Sequence, residues 1–280
     1  MTELGTSRVS KKAAVARAFD DQSLAHLRAR LEELPSRYVG LLDRLNGHLY
    51  RTERGEELAL HGVGRRLRVM QSCIHDFFRN LPPEEEGVPH SDRVTAAIVS
   101  MHAFTIHVYG CLDNLAGVWV HECDVRGDNG LPLPNKKIGF RKKNKTVLRS
   151  LPAALSKQLT DSEEWMEGLE NFRDALAHRI PPYIPPYMVT ESRRAEFQKL
   201  EAERLNAAWN LKFDEERELE ARQMKVAHFR PISTHSFTEG ARSVIVHGQM
   251  FCDFLTIEQL TCQILDALKA VPRPSEKPTK

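Results

Sequence analysis

Three side chains able to move protons or neutralise phosphate charge lie close together. They are Arg173, Asp174 and His178, within Asn171-Phe172-Arg173-Asp174-Ala175-Leu176-Ala177-His178-Arg179. On a helix, Asp174 and His178 stand about one turn apart on one face, so the carboxylate can orient the imidazole or change its proton affinity. Arg173 and His178 differ by roughly 140° around an ideal helix; a long arginine rotamer, or a two-fold related copy, brings them together. His178 closes the helix, where the backbone dipole favours a cation. Pro181-Pro182 and Pro185-Pro186 then stiffen an extended exit that can wall the site. Histidine can pass a proton to or from a 2′-hydroxyl or a 5′-oxygen, and arginine can neutralise charge growing on phosphoryl oxygens. The pair suits cleavage of RNA by its own 2′-hydroxyl, with no metal or other cofactor. The same residues also fit a plainer role, with Arg173 and Asp174 in surface ion pairs and His178 finishing a helix.

The second feature is electrostatic. The formal net charge is only +2, yet between Arg126 and Ser150 eight basic residues face a single acid, Asp128. Such a run concentrates phosphate polyanions, or is simply a solvated loop. Lys142, Lys143 and Lys145 are its candidate substrate contacts. His107, Asn114 and His121 recur at seven-residue spacing and share a helix face. Asn114 and His121 are further candidate contacts in a polar groove, or members of a buried hydrogen-bonded network. The sequence contains no Glu-x-x-His pair, CxxC, glycine-rich phosphate loop or dinucleotide fingerprint. No metal-ligand set and no cofactor is therefore expected. Five widely spaced cysteines, a polar stretch from Met1 to Lys12 and no run of ~18–20 apolar residues read as a cytoplasmic chain without a membrane partner.

Helix-period apolar spacing runs through nearly the whole chain. It predicts a helix opened by Asp20-Asp21-Gln22-Ser23, interrupted at Pro35 and resumed from Tyr38 to Tyr50, then a helix over 57–80 and a break over Pro82–Gly87. A long helix apolar on several sides follows over 92–124, capped by Ser91, with Gly110, Ala116 and Gly117 as close-approach points or weak spots. Next come a short helix over 151–159 and one over about 161–178, capped by Thr160 or Asp161, with Trp165, Leu169, Phe172 and Leu176 as its core stripe. A heavily charged helix over 190–224, a loop over 229–236 and a last helix over 239–270 complete the reading. The fold class is all-α, a helical bundle with additional N-terminal and peripheral helices. Residues 1–88 supply N-terminal helices packed on the core, 89–270 the bundle, with the 190–224 helix at its edge, and 271–280 a disordered tail.

Arg173-Asp174-Ala175-Leu176-Ala177-His178 resembles the Arg-x4-6-His motif of HEPN-like helical domains, in the form where a polar residue follows the arginine. The resemblance covers the bundle from Asp92 to Ala270 rather than the N-terminal helices. It implies a helical domain that often dimerises and a metal-independent endoribonuclease. Arg173 and His178 would be catalytic, with Asp174 in support. The partners it implies are RNA, a second copy of the chain, and a protein partner such as an antitoxin. It equally implies the alternative of a relative that cuts nothing and recognises a nucleic acid, nucleotide or protein. The Pro-Pro-Tyr-Ile-Pro-Pro-Tyr exit lies outside the general motif.

Overall fold

A helix that is apolar all round must sit at the centre of a bundle, and α4 (Ser91–Glu122) does so in the computed structural model, which describes residues 18–271 except 86, 237, 240 and 241. Val94, Met101, Phe104, Val108, Leu115 and Trp119 are buried along it. By length and composition alone α4 would also pass as a membrane span; here α3 (Gly64–Asn80), α7 (Glu163–His178) and α10 (Val246–Ala270) pack around it. The described residues form an all-α bundle with peripheral helices and one two-residue strand pair.

The N-terminal region is part of the core. Helix α1 (Asp21–Asn46) runs unbroken through Pro35, against the expected interruption. Pro35 is solvent-exposed, and Leu34, Leu41 and Leu45 are almost fully buried beside α3 and α10. Burial at ~1.5–3 kcal/mol per large apolar side chain offsets the ~3 kcal/mol cost of an internal proline. The expected 57–80 helix is three pieces: α2 (Glu53–Glu57), a π turn over Leu58–Val63, and α3. The buried carboxylate of Glu122 fixes the start of α2, accepting from Arg51 N at 2.7 Å, Thr52 N at 3.1 Å and Thr52 Oγ1 at 2.8 Å. Only glycine fits at position 55, because a Cβ there would stand 2.1 Å from Glu122 Oε1.

Other boundaries also shift. His90, not Ser91, caps α4, its Nδ1 accepting from Asp92 N at 3.3 Å. The expected 151–159 helix is α6 (Ala153–Asp161), shifted two residues along, with an unexpected α5 (Lys145–Ser150) before it and Ser162 preceding α7. On α7 the fully buried apolar positions are Met166, Leu169 and Ala175; Trp165, Phe172 and Leu176 are half-buried, so the core seam is rotated from the expected stripe. The charged 190–224 segment is a hairpin of α8 (Arg194–Trp209) and α9 (Phe213–Val226) with its own small core of Leu200, Ala207, Leu219 and Val226. Its tip bears Leu211 in the left-handed region at φ 56° and Trp209 at 86% exposure. The expected loop over 229–236 contains β1 (Ile232–Ser233), paired antiparallel with β2 (Val244–Ile245), so the last helix starts at Val246 rather than 239. The 1–17 and 272–280 segments, including the expected tail, lie outside the described residues.

Two buried titratable groups on α10 oppose each other in their pH dependence. His247 is enclosed by the rings of Phe19, Phe77 and Phe78, with Nε2 2.7 Å from the Leu81 carbonyl, and burial drives it from 6.5 down to about 4. Burial lifts Asp253 from 3.8 to about 6, against hydrogen bonds from Trp165 and Gln249. His247 folds neutral, so its contribution is full above pH 6.5 and fades as pH falls toward 4. Asp253 folds more easily when protonated, so its contribution is full below pH 3.8 and is lost as pH rises through 6. Each shift corresponds to about 3 kcal/mol, and the two offset one another in wild type. Asp253→Asn removes the acid-side gain. Its unfolding free energy should therefore drop about 2 kcal/mol more than wild type's between pH 6.5 and 4; parallel pH curves in urea melts would contradict this. Separately, Leu211→Gly should stabilise the hairpin by about 1 kcal/mol, since glycine tolerates positive φ and the exposed leucine gives up little packing. Slower amide exchange in α8 and α9 is the expected readout.

Candidate nucleic-acid interface

The basic segment is tied to α7 through Arg141. Its guanidinium reaches Glu163 Oε1 at 3.0 Å, pairs closely with Glu170 Oε2, and stands 3.7 Å from Glu167. Glu163 also accepts from the Lys142 backbone N–H at 3.3 Å. Arg141 and Glu163 are largely buried, with side-chain exposures of 15% and 8%. Desolvation raises Glu170, but Arg141 and Lys143 outweigh it and hold the carboxyl below its ordinary value. Arg141 thus anchors the segment to α7; the segment carries a 3-10 turn at Asn135–Lys137, and its lysines stay solvent-exposed.

Between this segment, α4 and α7 lies an open cleft of about 420 Å³, a volume suited to a nucleotide-sized ligand. Arg54, Lys136, Arg141, Lys143 and Arg173 bring cations to it, and Asp113 is the acid in its described lining. Tyr109, Asn114 and His121 add an aromatic face and polar groups. Four sequence candidates therefore converge here: Arg173, Lys143, Asn114 and His121. Lys142 and Lys145 are exposed on the same segment but do not line the cleft, and neither do Asp174 and His178.

Each converging residue has a physical support. The Arg173 guanidinium carbon lies 4.9 Å from the centre of the Tyr109 ring, and its NH1 donates to Asp174 Oδ1 at 2.6 Å. That bond, desolvation notwithstanding, raises the Arg173 pKa. Burial, with help from Asp113 and Glu170, pushes Tyr109 up to about 12, keeping it a neutral phenol. Asn114 Oδ1 accepts from Arg66 Nε at 2.8 Å, and the same guanidinium stands 3.5 Å from His107 Nδ1. Gly110 makes this possible, since a Cβ there would stand 2.3 Å from the Arg66 guanidinium. Desolvation first, then Arg66, lowers His107; desolvation and Arg54 lower His121, favouring a neutral imidazole in the cleft. Desolvation raises Asp113 against the pull of Arg173 and Arg66.

The expected pairing of Asp174 with His178 is not formed. Asp174 is engaged by Arg173, and His178 is exposed at the end of α7, joined to neither residue by a hydrogen bond among those described. The proline exit is a fixed element: His102 Nε2 lies 2.6 Å from the Pro182 carbonyl, and Tyr183 and Met188 exchange backbone hydrogen bonds with Thr234 and His228. Arg54, Arg66, Tyr109 and Arg141 were not singled out from sequence. Tyr109 stands one helical turn before Asp113, a spacing that was readable; the others act through partners distant in the chain. Among the described residues no group of three or more His, Cys, Asp or Glu side chains is placed to hold a metal ion. Comparison with family models, curated proteins and solved structures finds no match for the chain.

Arg141→Met tests the anchor. It leaves Glu163 buried without its cation, and breaking such a pair costs ~3–5 kcal/mol. Backbone amides over 135–150 should exchange faster, with α1 and α3 little changed; uniform exchange across the chain would show that Arg141 does not anchor the segment.

Proposed function

We propose that this chain binds RNA through the cleft between α4, α7 and the basic segment, and cleaves it without a metal in the manner of a HEPN-like endoribonuclease. The supporting observation is the convergence of Arg173 with Lys143, Lys136, Arg54, Asn114 and His121 around one nucleotide-sized opening. Cationic side chains there take up backbone phosphates and release counterions. The Tyr109 face supports a stacked base. In this reading Arg173 neutralises charge on the phosphoryl oxygens while the 2′-hydroxyl attacks phosphorus and the 5′-oxygen departs. His178 transfers a proton between those oxygens, with Asp174 holding Arg173 rather than the imidazole. Since His178 projects outside the cleft, the productive site draws it from a second copy across a two-fold axis. The protein then works in the cytoplasm, on RNA, as a homodimer.

A second reading rests on the same placement of His178. With Arg173 engaged by Asp174 and Tyr109 and no His178 in the cleft, the chain recognises RNA or a nucleotide, or docks a protein partner such as an antitoxin, and cuts nothing.

Fluorescence anisotropy with labelled single-stranded RNA, together with gel assays of cleavage in EDTA, separates the readings. Lys143→Ala should weaken binding and lower the salt slope by ~0.7, the value for one phosphate contact. Arg173→Ala should reduce both binding and cleavage. His178→Ala should leave binding intact and reduce cleavage ~10²-fold or more. Binding without cleavage by wild type would favour the second reading. Absence of any RNA binding would refute the nucleic-acid part of both.

A further inference from the structure

On the other side of α7 from the basic cleft, a separate cavity of about 180 Å³ opens between α7, α4 and the start of α10. Its walls are mainly apolar and aromatic, with Phe104, Trp165, Phe172 and Met250 among them. Asp253 lines it too, although its side chain is more than nine-tenths buried. Both hydrogen bonds to Asp253 fall on one oxygen: Trp165 Nε1 and Gln249 Nε2 each donate to Oδ1 at 2.7 Å. Oδ2 has no donor among the described residues and is not among the atoms sealed inside the protein. The carboxylate is therefore held rigidly by one oxygen while the other is open to the cavity.

The surrounding charge leaves this carboxylate without a counterion. Arg242, the one cation in the described lining, pairs closely with Glu164 at the rim, and both are well exposed. Trp165, whose Nε1 meets the carboxylate, and Phe172 add aromatic surface to the lining. A buried carboxylate oxygen beside aromatic rings repels anions and pays to stay unpaired with neutral apolar ligands. It attracts a positive group with N–H donors attached to a flat apolar body. We infer that this cavity is a binding site for a small organic cation, an aryl amidinium or ammonium, whose charged head meets Asp253 Oδ2 and whose ring packs among Phe104, Trp165 and Phe172. The site is independent of the RNA reading, since none of these residues lines the basic cleft.

Gly168 offers a control that leaves the carboxylate intact. It lines the same cavity on α7, and a Cβ built there meets nothing within 4 Å, so a larger side chain enters open space without displacing the core. The experiment is isothermal titration of the full chain at pH 7.5, roughly one to two units above the Asp253 value, so that the carboxyl is mainly ionised. Benzamidine is the probe, with benzamide as its neutral isostere, benzoate as the anion and guanosine as a nucleobase. Benzamidine should bind saturably, and at least about tenfold more tightly than benzamide, with benzoate not binding. Asp253→Asn keeps an acceptor for Trp165 and Gln249 and should weaken benzamidine at least about tenfold. Gly168→Leu should weaken it comparably by occupying the mouth. No saturable benzamidine binding, or equal binding of benzamide, or wild-type affinity in Gly168→Leu, would overturn the inference. Preference for guanosine over benzamidine would overturn it in favour of a nucleobase pocket. Should Asp253→Asn fail to fold, the benzamide comparison and Gly168→Leu still decide.

Discussion

The placement of Arg141 is the constraint on which the cleft depends. A segment as rich in glycine, proline and lysine as residues 126–145 has few apolar side chains: Phe140 is buried in the main core, and Leu133 and Ile138 pack against it. Beside Phe140, one guanidinium adds a directional attachment. Its planar fork meets Glu163 and Glu170, two turns apart on α7, and Tyr109 Oη from α4 approaches Glu170 at 3.4 Å. Loop, α7 and α4 therefore meet at one ionic joint. Because Arg141 and Glu163 are largely withdrawn from water, each is costly to leave alone, and the joint is worth more as a positional device than as net stability. It also lowers the number of cations free to meet phosphate. The eight basic residues counted along the segment overstate its charge, since Arg141 is consumed by acids of α7 and Lys143 shares Glu170.

Periodicity revealed the helices wherever apolar burial decides conformation, as on α4, α10 and the body of α3. It failed where a second force decided. Pro35 looks like a break because local propensity penalises it, yet the leucines on both sides are buried against other helices. The π turn at Leu58–Val63 alters register by about a residue, and the tip at Asn210–Lys212 reverses the chain within three residues; neither marks a hydrophobic pattern of continuously helical composition. The two-residue strand pair depends on backbone partners thirteen and eleven positions away, Ile232 with Ile245 and Ser233 with Val244.

The site was legible in part for a geometric reason. Arg173 and Met166 are seven residues apart on α7, two turns, and both line the cleft; Asn114 and His121 repeat that interval on α4. Asn114 and His121, chosen by helical spacing, were thus brought together at the cleft, while His107 of the same stripe stands beside Arg66 outside its lining. His178 is five residues from Arg173, and the roughly 140° between them is not closed by rotamers in a single copy, since Asp174 and Tyr109 already hold the arginine. Lys142 and Lys145 were equivalent to Lys143 by charge, but side-chain direction along the segment selects only Lys143 for the cleft. The supporting residues Arg66, Arg54 and Tyr109 carry no motif. Arg66 is read only once Gly110 is seen to leave space for its guanidinium against α4.

Helix α7 serves two cavities at once, and this limits how each can change. Met166 and Arg173 face the basic cleft, while Trp165, Gly168, Leu169 and Phe172 face the smaller apolar one. A helix with sites on both sides has little freedom to roll, because a rotation that improves one lining moves side chains out of the other. Its position is accordingly fixed by polar joints on each side: Glu163 and Glu170 to Arg141 toward the cleft, and Trp165 Nε1 to Asp253 toward α10. Both joints place a carboxylate where water is largely excluded, so sliding would strip Glu163 of its cation or Asp253 of its Trp165 hydrogen bond in a low-dielectric surround. The apolar seam of Met166, Leu169 and Ala175 supplies burial between them, but apolar contact is non-directional and does not by itself set rotation. Orientation of the arginine at the cleft therefore depends on polar bonds made on both faces of the helix that carries it.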